Sequence, residues 1–130
     1  MTSRSIDDLV PELRALYWKF SAAMAQAGLT FMVTSTYRDQ AEQDALYAQG
    51  RTKPGKVVTW VKRSKHQERK AFDIALLKDG KPVWDTKVSV NGNDIPDYLE
   101  AARIGESIGL RAGGLWKKPD YPHFELREIT

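Results

Sequence analysis

One acid inside an apolar strand constrains this chain more than any other feature. Ala71-Phe72-Asp73-Ile74-Ala75-Leu76-Leu77 has the length and composition of a buried β-strand, with Asp73 inside it. A carboxylate taken out of water costs several kcal/mol unless it is paired or binds a metal. The fold must therefore bring a cation or strong donors to Asp73. Histidine occurs only twice, at His66 and His123, and cysteine is absent. The missing cysteine excludes disulfides, thiolate metal sites, iron–sulfur clusters and a cysteine nucleophile.

The segments around this strand alternate between helical and extended patterns. Residues 6–27 read as an amphipathic helix, with Ile6, Leu9, Leu13, Leu16, Tyr17, Phe20, Met24 and Ala27 on one face and a break at Pro11. Leu29–Thr34 reads as a strand. Arg38–Gln49 reads as a second helix, with Ala41, Ala45, Leu46 and Ala48 on its apolar side. A long loop follows, with a candidate short strand at Lys56–Val61. Asp79-Gly80 signals a hairpin returning through Lys81–Trp84. Asn91-Gly92-Asn93 is a turn, and Asp94 to Ile108 reads as a third helix capped by Asp94. Ala112-Gly113-Gly114 is another turn, and His123–Leu126 a last strand. Helices and short strands without βαβ regularity predict an α+β fold, a small antiparallel sheet flanked by helices.

A length of 130 residues predicts one domain over 1–130. Such a chain buries roughly two thirds of its unfolded surface, enough for its own core. The apolar runs are too short to span a bilayer. The first residues, Met1 to Asp8, do not read as a signal peptide, which predicts a chain that starts in the cytoplasm. The net charge of +3 is uneven: residues 51–70 carry +7 and the remainder −4. A basic segment of this kind attracts polyanions, or else only keeps a loop solvated.

The two histidines lie in patterned surroundings. His66 stands seven residues before Asp73, at the end of the basic segment. His123 opens the last strand, three residues after Asp120 and two before Glu125. Two imidazoles and one carboxylate are the ligand set of a catalytic zinc site, which keeps a fourth position for water. The same residues also suit a structural polar role.

Ser64-x-His66 followed by Ala71-x-Asp73 resembles the S-x-H-x-x-G-x-A-x-D motif of the zinc D-Ala-D-Ala and L-alanyl-D-glutamate peptidases. Asp120-Tyr121-Pro122-His123-Phe124-Glu125 resembles that family's second motif. Thr34-Ser35-Thr36-Tyr37-Arg38 and Leu46-Tyr47-Ala48-Gln49-Gly50-Arg51-Thr52-Lys53-Pro54-Gly55 are similar to its phage endolysin branch. The resemblance runs from about Leu29 to Leu126 and implies a Hedgehog/DD-peptidase-like fold. It departs once: Arg69 occupies the motif glycine, where a tight or left-handed backbone is expected.

The resemblance implies that His66, Asp73 and His123 bind one Zn²⁺, whose charge brings the pKa of bound water to about 7. Asp120 would be the general base, although comparable metallopeptidase sites more often use glutamate, one methylene longer. Arg38 would bind substrate or stabilise the oxyanion. Ser64 would position substrate, orient a ligand or cap its loop. Glu125 would hold a histidine ring or be an ordinary strand residue. Trp116, Tyr37 and Trp60 flank the motifs and could line a peptide cleft or belong to the core.

The expected function is peptidoglycan hydrolysis between L-Ala and D-Glu by a monomeric phage lysin with no added wall-binding domain. It would wait in the host cytoplasm until a separate pore-forming protein releases it to the wall. Its partner would be peptidoglycan, with no nucleic acid and no stable membrane insertion. The rivals are a D-Ala-D-Ala carboxypeptidase or dipeptidase on the same scaffold, and a zinc-stabilised wall-binding module without turnover. A basic nucleic-acid-binding protein is a further rival, disfavoured by the neutral-to-acidic remainder of the chain.

Overall fold

The fold is built on one long helix and one long strand. Residues 2–59 and 62–127 are described by the structure, a computed structural model. The first helical pattern divides at Pro11, as its sequence predicts. Ile6–Asp8 is a 3₁₀ turn capped by Ser5, and helix α1 runs Pro11–Gln26. Proline suits the first turn, where its missing N–H would have no helical partner anyway. Leu13, Tyr17, Phe20 and Met24 recur along one side of α1 and are buried.

Strand β1 spans Thr30–Ser35 and helix α2 Gln40–Ala48. Strand β2 spans Ala71–Lys78, β3 Lys81–Val83, helix α3 Asp97–Ser107, β4 Leu110–Ala112 and β5 His123–Leu126. The strands form one antiparallel sheet in the order β1-β2-β5-β4, with β3 also paired to β2. This is the expected α+β class. No helix among the described residues is long and apolar enough to cross a membrane.

Four local expectations change. Helix α2 starts at Gln40, with Asp39 as its cap, and the residue it buries is Gln43 rather than its alanines. Helix α3 starts at Asp97, not Asp94, because Asp94 sits in a left-handed conformation at φ 65° that cannot lead into a helix. Residues 56–59 form no strand, and Trp60 and Val61 lie outside the described residues. Ala112 ends strand β4, and Gly113–Leu115 forms a 3₁₀ turn.

Strand alternation gives the sheet two chemistries. Phe72, Ile74, Leu76 and Phe124 are buried on the side facing α1. Phe72 and Phe124 stack at 5.5 Å with 13° between ring planes, and Phe20 of α1 lies 4.7 Å from Phe124. Each such side chain contributes about 1.5–3 kcal/mol by burial. The alternate positions Asp73, His123 and Glu125 point to the other face. Register puts Asp73 directly beside His123.

Arg69 takes the left-handed backbone that its motif position implies, at φ 61° and ψ 27°. Side-chain contacts offset the strain. Its guanidinium lies 3.3 Å from Asp8 Oδ1 and 4.2 Å from the centre of the Tyr37 ring. Arg69→Ala keeps the strain and loses both contacts, whereas Arg69→Gly relieves the strain. The alanine variant is therefore expected to be the less stable of the two by about 1 kcal/mol. Equal midpoints in urea unfolding would contradict this account of the position.

Candidate metal and catalytic centre

His66 sits in the 3₁₀ turn Lys65–Glu68, which leads into β2. Ser64 caps that turn: its Oγ accepts from the His66 amide at 3.1 Å, and its own amide donates to Gln67 Oε1 at 2.9 Å. Of the roles considered for Ser64, this geometry provides capping and ligand orientation. The His66 ring is fixed from behind, with Nδ1 2.9 Å from the Thr36 carbonyl oxygen. A carbonyl only accepts, so Nδ1 carries the hydrogen and Nε2 keeps its lone pair. Nε2 is buried without a hydrogen-bond partner, 3.2 Å from Asp73 Oδ1.

His123 is oriented in the same manner from β5. Its Nε2 lies 2.9 Å from Glu125 Oε1, and its Nδ1 lies 3.1 Å from Asp73 Oδ1. A hydrogen given to Glu125 leaves the Nδ1 lone pair for the site. Glu125 is thus the ring-holding carboxylate, 5% exposed and itself 3.6 Å from Arg111. One ligand atom from each of His66, Asp73 and His123 falls within 4.8 Å of the others.

Electrostatics support a cation here. Burial works against a charged His123 imidazole, yet Asp73, Glu125 and Asp120 outweigh it and push its pKa up to about 10. Burial also works against the Asp73 carboxylate, but the two histidines hold its carboxyl well below the usual range. For the protein groups alone, a proton answers this field. A divalent ion answers it as well, and uses the buried Nε2 that otherwise has no partner. The donor set fits such an ion.

These shifts predict how the metal-free chain responds to pH. The His123 pKa is raised above its unfolded 6.5, so its contribution is complete below 6.5 and lost as pH rises through about 10. The Asp73 pKa is lowered below 3.8, so its contribution is present above 3.8 and fades as pH falls further. Thermal midpoints of chelator-treated protein should fall between pH 7 and pH 10. A midpoint that rises over that span would contradict the pairing.

Asp120 reaches the same site from a tight turn. Its amide donates to the Gly113 carbonyl at 2.8 Å, and its carbonyl accepts from the His123 amide at 3.1 Å. A Cβ on Gly113 would lie 2.4 Å from the Asp120 carbonyl oxygen, so only glycine allows this approach. The residue reaches solvent, but burial around its carboxyl raises the pKa. Asp73 adds to that rise, while His123, His66 and Arg38 oppose it.

Arg38 follows β1 and enters the site from the opposite edge. Its Nη2 lies 3.9 Å from Asp73 Oδ2, and its Nη1 donates to Gln43 Oε1 at 2.8 Å. Its Nε is buried without a hydrogen-bond partner. Arg38, His66, Asp73, Asp120, His123 and Glu125 line a cleft of about 660 Å³. Arg63, Lys65, Arg111 and Lys118 add positive charge to its walls. Trp116 also lines it, with its ring 5.3 Å from that of His123. Tyr37 stacks under Arg69 instead, and Trp60 lies outside the described residues. Thr36, Gln43, Arg111 and Gly113 contact the site residues and are absent from the expected site. In sequence, the glycine pair at 113–114 signals only a turn.

Three comparisons agree with this geometry. Residues 58–126 match the family model described as D-alanyl-D-alanine carboxypeptidase. The chain is 40% identical over 123 residues to the peptidoglycan L-alanyl-D-glutamate endopeptidase CwlK of Bacillus subtilis (strain 168), covering 92% of this chain and 74% of that protein. The crystal structure of the Serratia marcescens L-Ala D-Glu endopeptidase ChiX shares the fold, with a TM-score of 0.71 and 22% identity. That match covers 98% of this chain and 89% of the other. With the motifs, the fold and the 40% identity in agreement, this chain belongs to the D-Ala-D-Ala and L-alanyl-D-glutamate peptidase family.

Proposed function

We propose that this peptidase hydrolyses the L-Ala–D-Glu bond of peptidoglycan stem peptides, with one zinc ion held by His66, Asp73 and His123. The observation that carries the reading is the convergence of those three ligand atoms within 4.8 Å in a cleft that also contains Asp120. The 40% identity to CwlK supports the bond assignment. Bound zinc supplies Lewis-acid chemistry, polarising a carbonyl and acidifying water.

The chain's own residues supply the rest. Asp120 takes the proton from the attacking water and returns it to the leaving amine. Arg38 faces the substrate carbonyl oxygen as charge develops there. Gln43 and Thr36 hold Arg38 and His66 in place. The cationic walls attract the carboxylates of the stem peptide. Release to the wall during phage lysis belongs to the same proposal and rests on the resemblance to the endolysin branch.

Glu125 acts through His123. Glu125→Gln is expected to weaken zinc affinity by about 10–100-fold, read by competition with a chelator of known affinity. Unchanged affinity would remove Glu125 from the site.

The matched family description favours a second reading, a D-Ala-D-Ala carboxypeptidase. Synthetic stem peptides with free and amidated C-termini separate the two. An endopeptidase cuts both between L-Ala and D-Glu. Release of D-Ala from the free form alone would establish the carboxypeptidase.

A further inference from the structure

The segment between β3 and α3 gathers a second set of oxygen ligands, which the peptidase chemistry does not use. Ser89, Asn91, Asn93, Asp97 and Glu100 occupy positions 1, 3, 5, 9 and 12 of a twelve-residue stretch. This is the ligand spacing of the EF-hand calcium loop, in which position 7, here Ile95, contributes a main-chain carbonyl. Position 6 of that loop makes a sharp turn and is normally glycine. Asp94 stands there at φ 65°, a left-handed conformation that aspartate tolerates better than most residues.

Four of the five side chains meet. Glu100 Oε1 accepts from Asn91 Nδ2 at 2.9 Å and from Asn93 Nδ2 at 2.8 Å. Ser89 Oγ lies 3.3 Å from Asn91 Oδ1 and 3.2 Å from Asn93 Oδ1. A single hydroxyl hydrogen cannot serve both oxygens. Asp97 gives the independent sign of a ligand. The residue is 3% exposed, and its Oδ2 accepts from the Val90 amide at 2.6 Å, which ties the carboxyl to the main chain of the loop. Its Oδ1 is buried with no partner. A buried carboxylate oxygen left this way is costly unless a cation answers it.

We propose that Ser89–Glu100 binds one Ca²⁺, separately from the catalytic metal. Serine replaces the usual aspartate at position 1, and positions 3 and 5 are neutral. Asp97 and Glu100 are then the only charged ligands, and low ligand charge sets the affinity at about 10⁻⁴–10⁻³ M, the range of extracellular modules. The ion would fasten the loop to its surroundings. Asn91 Nδ2 also reaches the Ala27 carbonyl beyond α1 at 3.1 Å, and the Asp97 amide donates to the Val88 carbonyl at 2.9 Å.

Calorimetric titration of the zinc-loaded full chain with CaCl₂ tests this, alongside thermal midpoints in CaCl₂ and MgCl₂. One saturable site in the stated range is expected, with a midpoint that rises in Ca²⁺ more than in Mg²⁺. Glu100→Gln should lose the saturable heat and the midpoint response while keeping its zinc. Asn93→Ala, at an exposed position, should weaken both. No saturable heat up to about 10 mM, tenfold beyond the stated range, would overturn the site. Equal binding by both variants or an equal response to Mg²⁺ would also overturn the assignment.

Discussion

His66→Ala should fail to retain zinc and should lose at least about 10³-fold in kcat, the equivalent of several kcal/mol of lost Lewis-acid stabilisation. His66 is 1% exposed, with its Nδ1 hydrogen committed to Thr36 and its Nε2 facing Asp73 without a hydrogen-bond partner. No substitute imidazole or thiolate exists in the sequence, because His123 is the only other histidine and cysteine is absent. Removing a buried ring also leaves a cavity, so circular dichroism and the thermal midpoint must accompany the assay. Zinc content per folded chain is the deciding readout. A folded His66→Ala protein that holds one zinc and cuts at the wild-type rate would contradict the ligand assignment.

Asp120→Asn should behave differently. It should keep its zinc and its fold, yet lose about 10²–10⁴-fold in kcat. Asparagine preserves the size of the side chain, and the bonds that place residue 120 are main-chain bonds to Gly113 and His123. What disappears is the group that accepts a proton. A base works only when ionised, so wild-type activity should be present above the Asp120 pKa and fall as pH drops through it. The acid limb of the pH–rate profile reports that ionisation. The limb should flatten in the variant. An unchanged rate, or an unchanged acid limb, would assign the base elsewhere.

The contrast between the two variants reflects what the sequence makes legible. Asp73, His66 and His123 stand out because an acid in an apolar strand needs a partner and imidazoles are scarce in this chain. The strand reading of 71–77 and 123–126 also survives, and antiparallel register brings Asp73 beside His123. Arg69 was legible as a left-handed position only through the glycine of its motif. Thr36 was not legible, since it contributes a main-chain carbonyl that any residue could offer. Gln43 carries no sequence signal of its own, yet it is fully buried and reaches across to Arg38. Strand β4 has three residues, too few for a period to show. The start of α3 misleads because Asp94 has the chemistry of a cap but the backbone of a turn.

Mass spectrometry of purified peptidoglycan after digestion tests the central claim most directly. The enzyme is assayed as isolated, after chelation and after zinc is restored. New L-Ala C-termini and D-Glu N-termini that vanish with the chelator and return with zinc are the predicted result. A folded, zinc-loaded protein that leaves no new termini, or that cuts equally well in the chelator, would contradict it.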